Sequence, residues 1–238
     1  ERHSIGLRYE PNTPIGNQNI HVHSDVLVKR DGEFLEEMQT EQMNMNKSRW
    51  KHSVNGYYSG NMGQWQVDVN ADYLFGQSES LQQITNNGEE AAESTNKIRN
   101  YLYAVKAVAS TPFAKGRLSL GTEETFTNRH DLFFQSGFSA DADNHVKTGI
   151  RSVFANYSIP LGKWILNAGF RYEHQQTDYY EGGVYKPEQS PTNKDFIPTF
   201  SANYANGDWS LTFSYKPSIY HPHYSLLCSA VDYLSKYE

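Results

Sequence analysis

The chain has 238 residues, a formal net charge of −6, 14% aromatic residues and one cysteine, Cys228. The acidic balance argues against nucleic acid as a partner, because phosphate binding needs clustered Lys and Arg. A single cysteine excludes an internal disulfide framework and a cysteine-based zinc cluster. No run approaches about 18 apolar residues, which excludes a transmembrane helix but not a transmembrane barrel, whose strands alternate.

Alternation of apolar and polar residues dominates the sequence and is typical of strands with one apolar face. The clearest example runs from Trp65 to Phe75, where every second side chain is apolar or aromatic. Ten residue steps of ~3.3 Å, tilted by ~45°, cover roughly 23 Å, close to the ~25 Å apolar band of an outer-membrane barrel. We predict eleven strands, at residues 2–10, 20–29, 34–45, 50–60, 65–76, 101–111, 116–126, 146–159, 164–174, 196–204 and 209–215.

The connections between these strands alternate in length. Short turns are predicted at residues 30–33, 61–64, 112–115, 160–163 and 205–208. Long polar loops are predicted at residues 11–19, 77–100, 127–145 and 175–195. One short connection, at residues 46–49, stands where the alternation predicts a long loop. Short turns at one end and long loops at the other are what an antiparallel up-and-down transmembrane barrel requires.

Aromatic residues mark both ends of the predicted strands. Trp65, Trp164 and Trp209 each follow a short turn. The long-loop ends carry Tyr73, Phe75, Tyr172 and Tyr215. Indole and phenol rings prefer the membrane–water interface, so these seven residues are predicted to form two aromatic girdles. The alternative is that they are core aromatics of a soluble β-sandwich, but core aromatics should sit in mid-strand.

Three stretches resemble a known family. They are GKWILNAGFRYE (162–173), DFIPTFSANYANGDWSLTFSYKPSIYHPHYSLL (195–227) and YLYAVKAVASTPFAKGRLSLGTE (101–123). Together they resemble the outer-membrane β-barrel of Bacteroidota TonB-dependent receptors. The resemblance implies a non-catalytic receptor or transporter for nutrient uptake in the outer membrane of a Gram-negative bacterium. It also implies a barrel of about 22 strands around an N-terminal plug.

The resemblance and the strand count together set the expected partners. Bacterial single-chain barrels have even strand numbers, so eleven strands indicate that residues 1–238 form one partial barrel domain, incomplete at both ends. Its partners would be outer-membrane lipid, the remainder of its own barrel, the plug and, by resemblance, the TonB complex. Its loops could also pack on a surface lipoprotein. Unpaired strand edges and an exposed apolar face predict that the isolated piece self-associates.

No catalytic, cofactor-binding or metal-binding motif stands out, so we predict no enzyme activity, no cofactor and no metal site. His21 and His23 share one strand face, and His221 and His223 flank a proline, but polar lumen or loop positions explain both pairs. The predicted extracellular loops carry six aromatic residues that could face a ligand: Phe133, Phe134, Phe138, Tyr179, Tyr180 and Tyr185.

Two alternatives remain open at this stage. One is an outer-membrane barrel with a structural or adhesive role and no transport. The other is a soluble carbohydrate-binding β-sandwich, which predicts two packed sheets with Trp65, Trp164 and Trp209 in a dry core.

Overall fold

The computed structural model describes residues 3–12, 19–136 and 141–219, which form a single antiparallel sheet of twelve strands. The strands are β1 (His3–Asn12), β2 (Asn19–Arg30), β3 (Glu33–Ser48), β4 (Lys51–Met62), β5 (Trp65–Asn86), β6 (Glu89–Phe113), β7 (Gly116–Gln135), β8 (Ala142–Leu161), β9 (Trp164–Glu181), β10 (Val184–Tyr185), β11 (Thr192–Asn206) and β12 (Trp209–Tyr215). A 3₁₀ turn, Pro187–Gln189, precedes β11. Within these described ranges, no helix is long and apolar enough to cross a membrane.

The first four strands make two passes along the sheet. β4 pairs with the lower half of β5, and β3 pairs with its upper half. β1 pairs with β4, and β2 pairs with β3. The chain therefore rises through β1 and β2, turns at Asp31-Gly32, and descends through β3 and β4.

A one-residue irregularity joins β3 to β4. Ser48 of β3 faces Ser78, and His52 of β4 faces Phe75. The chain therefore takes four residue steps from β3 to β4 where β5 takes three. The extra residue lies at Arg49-Trp50, where the Arg49 N–H donates to the Gln77 carbonyl at 3.3 Å. This is the arrangement of a β-bulge, which continues a strand with a local bend rather than ending it.

This arrangement corrects two sequence predictions. Residues 20–29 and 34–45 are not separate membrane-crossing strands, and the turn at 30–33 lies at the far end of the sheet, opposite the other short turns. The misplaced short connection at 46–49 is the bulge region, not a turn. The error arose because Val22, Val26 and Val28 alternate with polar residues as they would in a membrane strand.

The predicted long loops are also mostly strand. β5 continues to Asn86, and β6 begins at Glu89 after a two-residue turn. Residues 127–145 and 175–195 are likewise largely occupied by the extended ends of β7, β8 and β9 and the start of β11. Of the predicted loop at 11–19, residues 13–18 lie outside the described ranges. The extensions escaped prediction because both of their faces carry polar residues, which removes the period-two apolar pattern.

The strands are tilted in the way a barrel requires. Gln66, one residue beyond the start of β5, is aligned through successive strands with Ser110, Ser119, Asn156, Gly169 and Thr199. Ser110 lies three residues before the end of β6, Asn156 five before the end of β8, and Thr199 seven before the end of β11. The distance from this aligned row to the nearest short turn therefore grows by two residues for every two strands crossed. A stagger of one residue per strand corresponds to a tilt of about 36°.

Almost all of the buried side chains lie on one face of the sheet. Within the part of the chain that the structure describes, seven apolar side chains are buried: Met38, Ile84, Ala92, Phe133, Ala142, Val146 and Tyr179. They share one face with the buried polar residues Ser94, Ser110, Asp131, Gln135, Asn144, Ser152 and Thr177, whereas Thr111 lies on the opposite face. Side chains crowd one another on a concave surface, so this face is called the inner face and the opposite one the outer face.

Candidate functional site

The outer face is apolar and exposed along the lower half of the sheet. Its most exposed side chains include Ile5, Leu7, Trp209, Leu211 and Phe213, each more than half accessible. A continuous exposed apolar surface of this kind is a contact surface for lipid or protein. The soluble sandwich is therefore excluded, because the described residues form one sheet and its aromatics point outward.

Three tryptophans mark the short-turn end of the outer face. Trp65, Trp164 and Trp209 are the first residues of β5, β9 and β12. Trp164 packs on Tyr204 with ring centroids 4.9 Å apart. Each indole stands where its strand leaves a two-residue turn, the position from which a ring reaches a membrane–water boundary.

A second set of aromatic rings, here called the upper belt, crosses the outer face at the other end of the apolar region. Its members are Tyr73, Phe75, Tyr101, Tyr103, Phe126 and Tyr172. Tyr73 lies 5.0 Å from Tyr103 between ring centroids, and Phe75 lies 4.8 Å from Tyr101. Tyr73 and Tyr172 are both eight residues above the start of their strands, a height of about 21 Å at the tilt given above.

The seventh predicted girdle residue, Tyr215, sits lower. It is six residues above the start of β12 and faces Phe200 of β11. Tyr101, Tyr103 and Phe126 were not singled out from the sequence, although the alternation of residues 101–111 places the two tyrosines on the face of Val105. Cross-strand register, which brings these rings to Tyr73 and Phe75, was the missing information.

The inner face of the same strands is polar and charged. Here Lys106, Glu123, Phe154, Arg171 and Glu173 form what we call the lumen cluster. Arg171 Nη1 lies 3.1 Å from Glu123 Oε2, and its Nε lies 2.9 Å from Glu173 Oε2. Lys106 Nζ lies 3.8 Å from the same Glu123 oxygen. The Phe154 ring lies between the two cations, 5.7 Å from Lys106 Nζ and 5.9 Å from Arg171 Cζ.

Above the upper belt, the extended strands carry a second inner-face feature, here called the amide groove. Its cavity of about 240 Å³ is lined by Asn44, Asn46, Gln82, Ser94, Asn96 and Phe133, among others, and no lining residue is charged. The buried side-chain carbonyl oxygen of Asn96, a lining residue, lacks a hydrogen-bond partner within the described residues, as do those of Asn100 and Gln135, which are not among the lining residues. The groove therefore presents neutral hydrogen-bonding groups beside one aromatic ring.

The predicted ligand-facing aromatics divide between the two faces. Phe133 lines the amide groove, whereas Tyr179 is fully buried and its hydroxyl donates to Asn144 Oδ1 at 2.6 Å. Phe134, Tyr180 and Tyr185 are on the outer side or edge of the extension, with Phe134 and Tyr185 exposed. All five lie in strands rather than loops. Phe138 falls outside the described residues.

A histidine pair lies on the outer side of the extension. His130 Nε2 contacts Asp143 Oδ1 at 2.6 Å, and the ring centroids of His130 and His145 are 5.4 Å apart. Burial lowers the pKa of His145 from its usual value of 6.5, and the nearby Lys147 and His130 lower it further, against the opposite effect of Asp143. These effects therefore favour the neutral form of His145.

The histidine pair of β2, His21 and His23, does not belong to a metal-binding group. His23 Nε2 lies 3.5 Å from Asp25 Oδ1 and its Nδ1 lies 3.7 Å from Glu41 Oε1, and all three side chains are exposed. Across residues 3–12, 19–136 and 141–219, no group of three or more His, Cys, Asp or Glu side chains is placed to hold a metal. His221, His223 and Cys228 lie outside those ranges.

The comparisons with known proteins agree with this geometry. The family model described as the Outer membrane protein beta-barrel family matches residues 61–238. The ferripyoverdine receptor of the outer membrane of Pseudomonas aeruginosa, bound to ferripyoverdine, is similar with a TM-score of 0.52 and 11% identity, covering 90% of this chain and 35% of that chain. The FpvAI–pyocin S2 complex gives a TM-score of 0.51 and 12% identity, covering 76% of this chain and 32% of that chain. No curated protein matches the chain.

The structural likeness shows the fold alone, and the chain spans about a third of the length of the two matched chains. The family model, in contrast, covers most of the sequence. The chain belongs to the Outer membrane protein beta-barrel family, and its location is the outer membrane of a Gram-negative bacterium.

Proposed function

We propose that this chain is part of the barrel of a TonB-dependent receptor that takes up a nutrient across the outer membrane, and that it performs no covalent chemistry. The observation that carries the proposal is the contrast between the two faces of one tilted sheet. The outer face is apolar between two levels of aromatic rings, and the inner face holds the lumen cluster. A charged inner surface is expected where a barrel encloses water or a second domain rather than a packed core.

The lumen cluster suits contact with a plug domain. Glu123 accepts from Arg171 and faces Lys106, so its charge is compensated within the sheet. Arg171 and Glu123 nevertheless remain about a third accessible from the inner side. Side chains that are fixed by one another and still accessible can dock a polar partner with little loss of rotamer freedom.

The amide groove lies above the lumen, where a ligand would enter. Its neutral lining favours a ligand that offers hydrogen-bond donors to amide carbonyls. Phe133 adds an apolar surface at the same place. Phe134, Tyr180 and Tyr185 could contact the ligand or a surface lipoprotein from the other side of the extension.

The remaining parts of the receptor belong to the same proposal. They are the rest of a barrel of about 22 strands, a plug, the TonB complex and a Bacteroidota origin. β1 and β12 are the end strands of the sheet, so residues 1–238 in isolation would present two edges and self-associate through them.

A planar-bilayer conductance measurement tests the transport proposal. The full-length protein should be closed, and deletion of the plug segment should open a wide ohmic pore. If the plug-deleted barrel inserts but conducts no ions, transport is contradicted. That result would favour the structural or adhesive barrel, which needs no open lumen.

A further inference from the structure

A groove on the outer face of the extension is built from basic side chains. Arg49, Lys97, Arg99 and His130 line a cavity of about 230 Å³, together with Glu79 and apolar neighbours. It lies on the convex side of the sheet, opposite the amide groove, and is called the basic groove. Its position gives it no access to the lumen, so it plays no part in the proposed uptake path.

Most of the positive charge in the basic groove is uncompensated. Arg49 is paired with Glu79, with Nη2 and Oε2 3.3 Å apart. Lys97 and Arg99 are exposed, and within the described residues neither has an ion-pair partner. Glu79 is the one carboxylate among the groove residues, so two cations remain available to an anionic ligand.

The height of the basic groove relative to the upper belt identifies the kind of ligand. Arg99 is two residues above Tyr101 on the same face of β6, which places it about 5 Å higher along the barrel axis. Tyr101 packs on Phe75, and below it Tyr103 and Val105 are about half exposed on the outer face. The basic groove therefore starts where the apolar, lipid-contacting surface ends.

Other cations stand on the outer face of neighbouring strands, at the height of the upper belt or just above it. Arg151 of β8 and Lys194 of β11 lie on the outer face, ten and twelve residues above their short turns. Arg151 bonds Glu124 at 2.7 Å. Lys147 lies over the Tyr180 ring, 5.3 Å from its centroid. Among these outer-face cations, those of the basic groove are the most closely grouped.

We infer that the basic groove binds the phosphate of a phosphorylated lipid of the outer leaflet, with Lys97 and Arg99 as the main phosphate contacts and the upper belt against the acyl chains. Ammonium and guanidinium groups suit phosphate oxygens, and the guanidinium can donate two parallel hydrogen bonds. The adjacent apolar surface selects a lipid over a free anion.

The test is a native mass spectrometry titration of the detergent-solubilised full-length protein. The probes are bisphosphorylated lipid A, the same glycolipid without its phosphates, and inorganic phosphate. Lys97→Gln/Arg99→Gln should weaken binding of bisphosphorylated lipid A by about 30-fold, since each surface cation contributes roughly fivefold to the affinity for an anionic lipid. Binding of the dephosphorylated lipid should not change.

Two variants serve as controls. Lys29→Gln/Arg30→Gln removes the same charge near the far tip of the β2–β3 hairpin and should leave lipid affinity unaltered. Lys97→Arg/Arg99→Lys keeps the charge and should retain binding. Equal losses in the groove and tip variants, or no loss in either, would overturn the inference. Displacement of the lipid by inorganic phosphate would also overturn it and identify a site for free anions.

Discussion

Glu123 and Arg171 meet across the inner face although a whole strand separates them. Arg171 Nη1 of β9 lies 3.1 Å from Glu123 Oε2 of β7, and the Phe154 ring of β8 lies beneath the guanidinium. This contact ties three consecutive strands together on the lumen side. It also fixes the rotamers of side chains that would otherwise be free on an accessible polar face.

The first prediction concerns this ion pair. Glu123→Gln should lower the free energy of unfolding of the full-length protein by about 1–3 kcal/mol, because the half-buried Arg171 loses one charged acceptor. Equilibrium urea unfolding in detergent measures the change. The double variant Glu123→Gln/Arg171→Gln should cost less than the sum of the two single variants. Strict additivity would show that the pair is not coupled.

A glycine beneath Phe154 gives the second prediction. A Cβ built on Gly121 would lie 2.2 Å from Phe154 Cζ, so Gly121→Ala must displace the ring from the lumen cluster. We expect a loss of stability of about 1–3 kcal/mol, as for other overpacked sites. Gly149→Ala on the adjacent strand is the control, since nothing lies within 4 Å of its Cβ position. If both variants unfold at the same urea concentration, the close packing of Phe154 on Gly121 is contradicted.

The third prediction concerns the β5–β6 tip. Asn87 and Gly88 have φ values of 52° and 83°, as a two-residue hairpin turn of this hand requires. Gly88→Val should destabilise the tip by about 1–2 kcal/mol. Hydrogen exchange of the segment from Ile84 to Ala92 should accelerate. Gly76→Ala, in the same hairpin, meets Lys51 only at ordinary contact distance and should leave exchange unaltered.

The sequence predicted the lower half of the sheet and failed in its upper half for one physical reason. Between Trp65 and Phe75, one face of β5 is apolar and the other polar, so the residues alternate. Above Phe75 both faces carry polar groups, as in Gln82 and Gln83, and the alternation vanishes although the strand continues. The Asn87-Gly88 dipeptide is typical of a two-residue hairpin turn, so it does indicate that β5 and β6 continue to this point.

The candidate sites were less predictable because they depend on cross-strand register. The seven aromatics that we predict to form girdles follow from position along each strand, whereas the lumen cluster joins residues from four strands. Arg49, Lys97 and Arg99 converge only because the β3–β4 bulge brings Arg49 beside Glu79. A single sequence does not contain that pairing.

The fourth prediction is a pH dependence of the extension. The pKa of His145 is lowered in the folded state from the usual histidine value of 6.5. As the pH falls below 6.5, the unfolded state therefore binds more protons than the folded state does. Stability contributed by neutral His145 is therefore present above pH 6.5 and is lost as pH falls. Proteolysis of the β7–β8 tip should accelerate between pH 7.5 and pH 5.5, and His145→Gln should reduce that acceleration. A rate that rises with pH instead would contradict the lowered pKa.

The central claim is that one face of this sheet contacts lipid and the other lines a water-filled lumen. Site-directed spin labelling along β5 tests it, using the full-length protein in bilayers on a Cys228→Ser background. Oxygen accessibility should peak at residues 67, 69 and 71, and accessibility to a polar nickel chelate at residues 68, 70 and 72. Both patterns should fade above residue 77, where the strand leaves the membrane. Uniform chelate accessibility from residue 65 to 86, or the opposite phase, would contradict the account.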